Sequence, residues 1–213
     1  MVAVPGLPRH IGDAAVPQDA VSNATWAWAH RRVPGYLLAH SIRVYAWAVT
    51  LGRDEYLAFD SPILWAASLM HDVGLTRIPQ NTRCFEFQGA DVARRFLAGE
   101  GMPSVAAARV GRAIELHMAP VVTLADGVES VLLDRATGID VRGAEIERVA
   151  AVRERVVRAY PRGDFDRHFV AAIDREVAMR PSCQSERLRK RLGPDAAQNP
   201  WHVEISKPAA SSG

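Results

Sequence analysis

The chain has 213 residues, 48% of them hydrophobic, which is enough for one domain with a full core. Twenty-six basic and 24 acidic side chains leave a net charge of +2, which excludes the large single-sign field of a nucleic-acid or membrane-surface binder. No apolar stretch approaches the ~20 residues that span a bilayer, and no basic segment followed by an apolar core opens the chain. The two cysteines, Cys84 and Cys183, are far apart and read as no framework, so a reduced cytoplasm is the expected compartment.

Residues 1–20 hold prolines and glycines without periodicity and read as a flexible lead-in. A tryptophan-bearing helix is expected over 21–32, capped by Ser22 or Asn23 and broken at Pro34-Gly35. In the next, over 36–51, Leu37, His40, Val44, Trp47 and Leu51 recur at three- and four-residue spacing, and Gly52 closes it. His40 thus lies in an apolar stripe, as a hydrogen-bonded core histidine or as a ligand. Asp60 or Ser61 caps the following helix, with Pro62 in its first turn.

That third helix is the apolar run 63–70, and it delivers His71 and Asp72, with Gly74 as its stop. Two metal-competent side chains at the inner end of a buried helix are costly unless something pairs with them. A divalent ion would satisfy both, since imidazole and carboxylate suit Zn, Fe or Mn. The alternative is a pair exposed at a frayed helix end. A polar connection over 77–83 leads to a helix over 85–97, where Glu86 between Phe85 and Phe87 either faces a polar interior or is a first-turn acid favoured by the helix dipole. Another helix begins at Pro103-Ser104 and ends at His117, where a histidine also suits the dipole.

The segment 124–137 ends at 138–143 and offers two inner acids. Asp140, between Ile139 and Val141, is the better candidate for burial, and Asp134, before Arg135, reads as a surface acid. Residues 144–160 form an amphipathic helix whose charges make a solvated face, and 164–179 form a further helix. From Ser185 a short basic helix precedes a Pro-, Asn- and Ser-rich tail. Without an alternating strand run, a phosphate loop, a Cys-x-x-Cys or a Gly-x-Ser-x-Gly elbow, the expected fold is all-α, a compact bundle of about seven to nine helices.

The order His40, His71-Asp72, Asp140 resembles the HD-domain metal-dependent phosphohydrolase superfamily, named for its paired His-Asp. The blocks His40-Ser41-Ile42-Arg43-Val44-Tyr45, Met70-His71-Asp72-Val73-Gly74-Leu75-Thr76, Phe85-Glu86-Phe87-Gln88-Gly89-Ala90 and Ala113-Ile114-Glu115-Leu116-His117 look like its cyanamide hydratase branch. The resemblance runs from about residue 30 to about 160. It implies an HD domain over 21–180 and a C-terminal helix and loose tail over 181–213. It also implies one divalent metal ion, Zn before Fe or Mn, held by His40, His71, Asp72 and Asp140. Asp72, Glu86 and His117 are its implied catalytic residues, and Thr76, Glu86 and His117 its substrate-binding residues. The expected activity is that of a hydrolase or hydratase using metal-activated water on a small molecule, such as a nitrile like cyanamide hydrated to urea. The alternatives are a phosphohydrolase, with Arg43, Arg77 and Arg83 near the ligand blocks, and a noncatalytic metal-holding binding domain. The expected partner is a small-molecule substrate, with no nucleic acid and no membrane; a homo-oligomer is compatible with the sequence.

Overall fold

The computed structural model describes residues 4–76, 83–193 and 201. Among them are nine α-helices: α1 (Ala20–Arg32), α2 (Gly35–Asp54), α3 (Ser61–Met70), α4 (Phe85–Gly99), α5 (Ser104–Leu116), α6 (Val128–Arg142), α7 (Ala150–Ala159), α8 (Phe165–Met179) and α9 (Gln184–Leu192). The expected all-α bundle is thus the observed one. No helix of the described residues is long and apolar enough to cross a membrane.

The core is built around α2. Its stripe Leu37, Val44, Trp47 and Leu51 is fully buried, and α2 packs against α3 and α6 while α4 packs against α5. The helix runs on past Gly52 to Asp54. Gly52 does not stop it; a Cβ there would stand 2.6 Å from the Phe59 ring, so the residue is small to let that ring close on the helix. Asp60 caps α3 as expected, accepting from the Ile63 amide at 3.1 Å. At α1 the cap is Asp19, one turn earlier than Ser22 or Asn23, accepting from the Ser22 amide at 2.9 Å.

His71 ends α3, and residues 73–76 continue as a tight 3₁₀ turn. Gly74 sits within that turn rather than in a left-handed stop: a Cβ on it would lie 2.0 Å from the Phe85 carbonyl oxygen. Its missing side chain lets the start of α4 press against the His-Asp pair. The larger departure is α6. It continues through residues 138–143 to Arg142, and Gly143, at φ 67°, provides the left-handed cap. The segment 144–160 is divided into a 3₁₀ turn over Ile146–Val149 and then α7.

Both ends of the chain differ from expectation. The lead-in is packed over its described residues. A two-residue hairpin pairs β1 (His10–Ile11) with β2 (Ala14–Ala15), and Ile11, Ala14 and Val16 are buried. Tyr45 donates its hydroxyl to the Ala15 carbonyl at 2.6 Å, and the Trp26 indole donates to Pro5 at 2.8 Å. These bonds anchor a segment whose sequence has no periodicity to announce it. At the other end α9 packs on α8. Trp201, also buried, donates to the Ile139 carbonyl at 2.8 Å. The expected connection over 77–83 lies outside the described residues except for Arg83.

The cysteine reading is overturned: Cys84 and Cys183 form a disulfide across 99 residues of sequence. It joins the residue before α4 to the residue before α9. Distance along the chain had hidden a proximity that only the packing of α8 and α9 creates, and the argument from cysteine usage for a reducing compartment falls with it. Thiol titration of the oxidised, denatured protein should find no free cysteine. Closing a loop of this length restricts the unfolded chain, so reduction should lower the unfolding free energy by about 4 kcal/mol, read from denaturant melts with and without reductant; unchanged melts would show that the bond does not stabilise the fold.

Candidate metal centre

Two helix ends and one helix interior place the donors. His40 comes from the middle of α2, His71 and Asp72 from the end of α3, and His117 from the end of α5. All four are buried. Each histidine spends its Nδ1 on a fixed acceptor: His40 on Asp140 Oδ2 at 2.7 Å, His71 on the Ser68 carbonyl at 2.8 Å, and His117 on the Ile114 carbonyl at 2.6 Å. Carbonyl and carboxylate oxygens only accept, so these nitrogens carry protons, and in neutral imidazoles at His40 and His71 the Nε2 lone pairs point the other way.

The Nε2 atoms of His40 and His71 then face each other at 3.1 Å. Two lone pairs at that distance repel unless a cation stands between them. Asp72 Oδ2 completes a triangle, 3.5 Å from His40 Nε2 and 3.3 Å from His71 Nε2. That oxygen is buried without a hydrogen-bond partner among the described residues. Donors about 2.1 Å from a tetrahedral ion stand about 3.4 Å apart, so the triangle has the size a single divalent ion requires. Among the described residues His40, His71 and Asp72 are the group able to hold one. Protonation agrees: burial, against the pull of Asp140, lowers the His40 pKa and favours neutral imidazole. Burial would raise Asp72, but His71, His117 and His40 override it and keep the carboxylate ionised.

Asp140, the expected fourth ligand, faces other partners in this structure. Its Oδ1 accepts from Arg43 Nε at 2.9 Å and from the Trp47 indole at 2.8 Å. Its Oδ2 accepts from Arg43 Nη2 and from His40 Nδ1, both at 2.7 Å. Both oxygens are committed to protein donors, so Asp140 orients His40 and does not reach the triangle. Burial opposes its ionisation, yet Arg43 and His40 hold it well below the usual carboxylate range. The direction of Asp140 follows from the length of α6. Residues six apart on a helix lie about 120° apart around it, so Asp134 and Asp140 face different partners. Asp134, Thr137, Gly138 and Val141, at i, i+3, i+4 and i+7, line the cleft above the donors, whereas Asp140 turns toward α2. Asp134, read as a surface acid, is therefore a second cleft acid beside Asp72. Burial raises its pKa against the pull of His117 and three arginines.

The cleft, with a volume of about 50 Å³, opens directly onto His40, His71, Asp72 and His117. His117 Nε2 lies 3.6 Å from Asp72 Oδ1. Burial disfavours its charge, but Asp72 prevails and raises its pKa. Glu86 is 1% exposed and outside the cleft lining; neither carboxylate oxygen has a hydrogen-bond partner among the described residues. Burial raises its pKa, and His117 is the nearest opposing influence after its own backbone. Thr76 is not brought to the cleft: its hydroxyl donates to the Val73 carbonyl at 2.7 Å and closes the 3₁₀ turn.

Comparison with known proteins agrees with this geometry. Residues 37–158 match the HD domain, and the chain belongs to that family. Two cyanamide hydratases of Saccharomyces cerevisiae, DDI2 and DDI3, are each 26% identical to it over 193 residues, covering 84% of this chain and 83% of the relative. Family and donor set together make this a metal-dependent hydrolase or hydratase acting on a small molecule.

Asp140→Asn should separate an orienting acid from a ligand. It leaves Arg43 buried with less than a full countercharge, so the unfolding free energy should fall by about 3 kcal/mol and metal affinity by roughly 10–100-fold. Binding should still reach full stoichiometry at saturating metal; a variant that never reaches it would restore Asp140 to the ligand set. Glu86→Gln tests the buried acid. A carboxyl whose folded pKa is raised keeps its proton longer in the native state, so stability falls as pH rises from the ordinary carboxylate range through the folded pKa. The amide should therefore stabilise the protein at pH 7 by roughly 1 kcal/mol, with the difference shrinking as pH drops below the ordinary carboxylate range, in melts followed by circular dichroism.

Proposed function

We propose that this HD-domain protein adds water to an unsaturated carbon of a small molecule, a nitrile of the cyanamide type, giving the corresponding amide or urea. The observation that carries the reading is the triangle of His40 Nε2, His71 Nε2 and Asp72 Oδ2, opening onto a small cleft. The likeness to two cyanamide hydratases over 84% of the chain supports the choice of nitrile. Zn²⁺ is the ion proposed, since two imidazoles and one carboxylate leave it an open position; when bound it supplies Lewis acidity and lowers the pKa of water.

The protein's own groups do the rest. Asp72 offers two oxygens with different surroundings: Oδ2 in the donor triangle and Oδ1 toward His117. Oδ1 accepts a proton from the attacking water as its oxygen bonds to the nitrile carbon. His117, whose charged form Asp72 favours, donates a proton to the nitrile nitrogen as the triple bond loses a π bond; Asp72 then returns the proton it took to His117, and the resulting imidic acid becomes the amide or urea by moving its hydroxyl proton to nitrogen. Glu86 lies behind His117 and favours its charged form, so it acts as a positioning residue through the imidazole. The walls of the cleft exclude bulk water and hold the small substrate over these groups.

The two alternatives have less support. A closed structural site would lack a cleft over its donors, and this one has such a cleft. Of the arginines that suggested a phosphate ester, Arg43 is committed to Asp140, Arg83 pairs with Asp91 on the surface, and Arg77 is outside the described residues.

The test is elemental analysis of gently purified protein with urea release from cyanamide and a phosphodiester assay on the same sample. About one metal ion per chain with urea release is expected. His71→Ala should lose the metal and the activity together, and Glu86→Gln should keep the metal with a lower kcat. Phosphodiester cleavage without urea release would move the function to the hydrolytic alternative, and a full equivalent of metal in His71→Ala would reject the site.

A further inference from the structure

The mouth of the cleft carries an electrostatic imbalance that the proposed hydration does not use. Arg142, at the end of α6, and Arg187 and Arg191, on α9, all line it. Arg187 and Arg191 are four residues apart on one helix face, a like-charge spacing that destabilises a helix. The other basic residues of α9 are paired: Lys190 with Glu186 at 2.8 Å and Arg189 with Asp174 at 2.5 Å. No ion pair joins Arg142, Arg187 or Arg191 to an acid among the described residues. Two acids line the same cleft: Asp72, whose oxygens face the three histidines, and Asp134, so Asp134 is the carboxylate left opposite three guanidinium groups.

Two of these groups are also held in place. Arg187 donates to the Met118 carbonyl, which fixes its guanidinium at the rim. Arg142 folds back over Gly138, one turn earlier on α6: a Cβ at Gly138 would stand 2.9 Å from its Nη2. A glycine inside a helix costs about 1 kcal/mol relative to alanine, and here it makes room for a cation facing the cleft. Burial, and then the charge of Arg191, push both Arg142 and Arg187 below the usual arginine pKa. Forked donors that are undercompensated, two of them held in place, are suited to a planar or tetrahedral oxyanion.

We propose that Arg142, Arg187 and Arg191 form an anion-recognition subsite at the mouth of the metal cleft, and that the physiological substrate carries a carboxylate or phosphate group there while its reacting centre lies toward His40, His71 and Asp72. The proposal rests on the metal-cleft reading above and narrows its substrate class: uncharged cyanamide would leave the arginines unused.

Calorimetric titration of the full chain with inorganic phosphate, and separately with acetate, at constant ionic strength tests it. At least one anion should bind in a 1:1 complex, and which one binds separates the phosphate from the carboxylate source. Arg187→Gln/Arg191→Gln should raise its dissociation constant at least tenfold. Arg189→Gln/Lys190→Gln, which removes equal charge from the paired face of the same helix, should change it less than twofold. Arg142→Gln, on a different helix, should weaken binding severalfold and covers the case in which the α9 double variant fails to fold. No binding of either anion, or equal weakening by the two α9 variants, would overturn the subsite. Binding lost in His71→Ala but kept in the arginine variants would place the anion on the metal and likewise overturn it. Metal content measured on the same samples reports separately on the metal-cleft reading.

Discussion

The buried carboxylate of Asp140 is the constraint on which the rest of the site depends. It is fully buried and takes hydrogen bonds from Arg43, Trp47 and His40, and its backbone carbonyl accepts from Arg162. Arg43, equally buried, spends its remaining donors on the Tyr160 and Pro161 carbonyls at 3.2 Å each. One charge therefore ties α2, α6 and the turn between α7 and α8 into a single node. A buried ion pair is weak as a source of net stability, because desolvation offsets most of its attraction. Its use here is geometric: the same oxygen that satisfies Arg43 fixes the tautomer of His40 and aims Nε2 at the donor triangle.

Around that node the fold holds several arrangements that packing alone would avoid. His40 and His71 present lone pairs to each other, Asp72 Oδ2 and both oxygens of Glu86 are buried without hydrogen-bond partners among the described residues, and arginines of like charge share one cleft. Each costs stability, and each lies at or beside the cleft. Elsewhere charges are conventionally matched, as in Arg135 bridging Glu55 and Glu145. Unfavourable terms gathered in one place mark a site whose complement is a ligand.

The C-terminal elements complete the cleft. The family match ends at residue 158, but α8 supplies Phe169 and α9 supplies Arg187 to its lining. The Cys84–Cys183 bond ties the start of α4, next to Glu86, to the start of α9. The floor of the cleft thus comes from the helices that carry the family motif, and one side of its mouth from a segment outside it. Substrate choice can vary there without disturbing the donors.

Much of this was legible in the chain. Three- and four-residue apolar spacing located the helices because a helix buries one stripe of its surface whatever its neighbours are. The His-Asp pair at the end of an apolar run announced the metal, since two such groups in a core need a cation or a partner. What periodicity could not decide was direction. Asp140 and Asp134 are both acids on α6, and only the continuation of that helix to Arg142 turns one toward Arg43 and the other into the cleft. Thr76, adjacent to the ligand pair in sequence, spends its hydroxyl on its own turn. The disulfide and the arginine rim were beyond reach for a related reason: Cys84 and Cys183, or Arg142 and Arg187, meet only after α8 and α9 fold back over the bundle. Local chemistry sets which residues can serve a metal site; long-range packing sets which of them face it, because burial and orientation belong to the assembled helices rather than to any one of them.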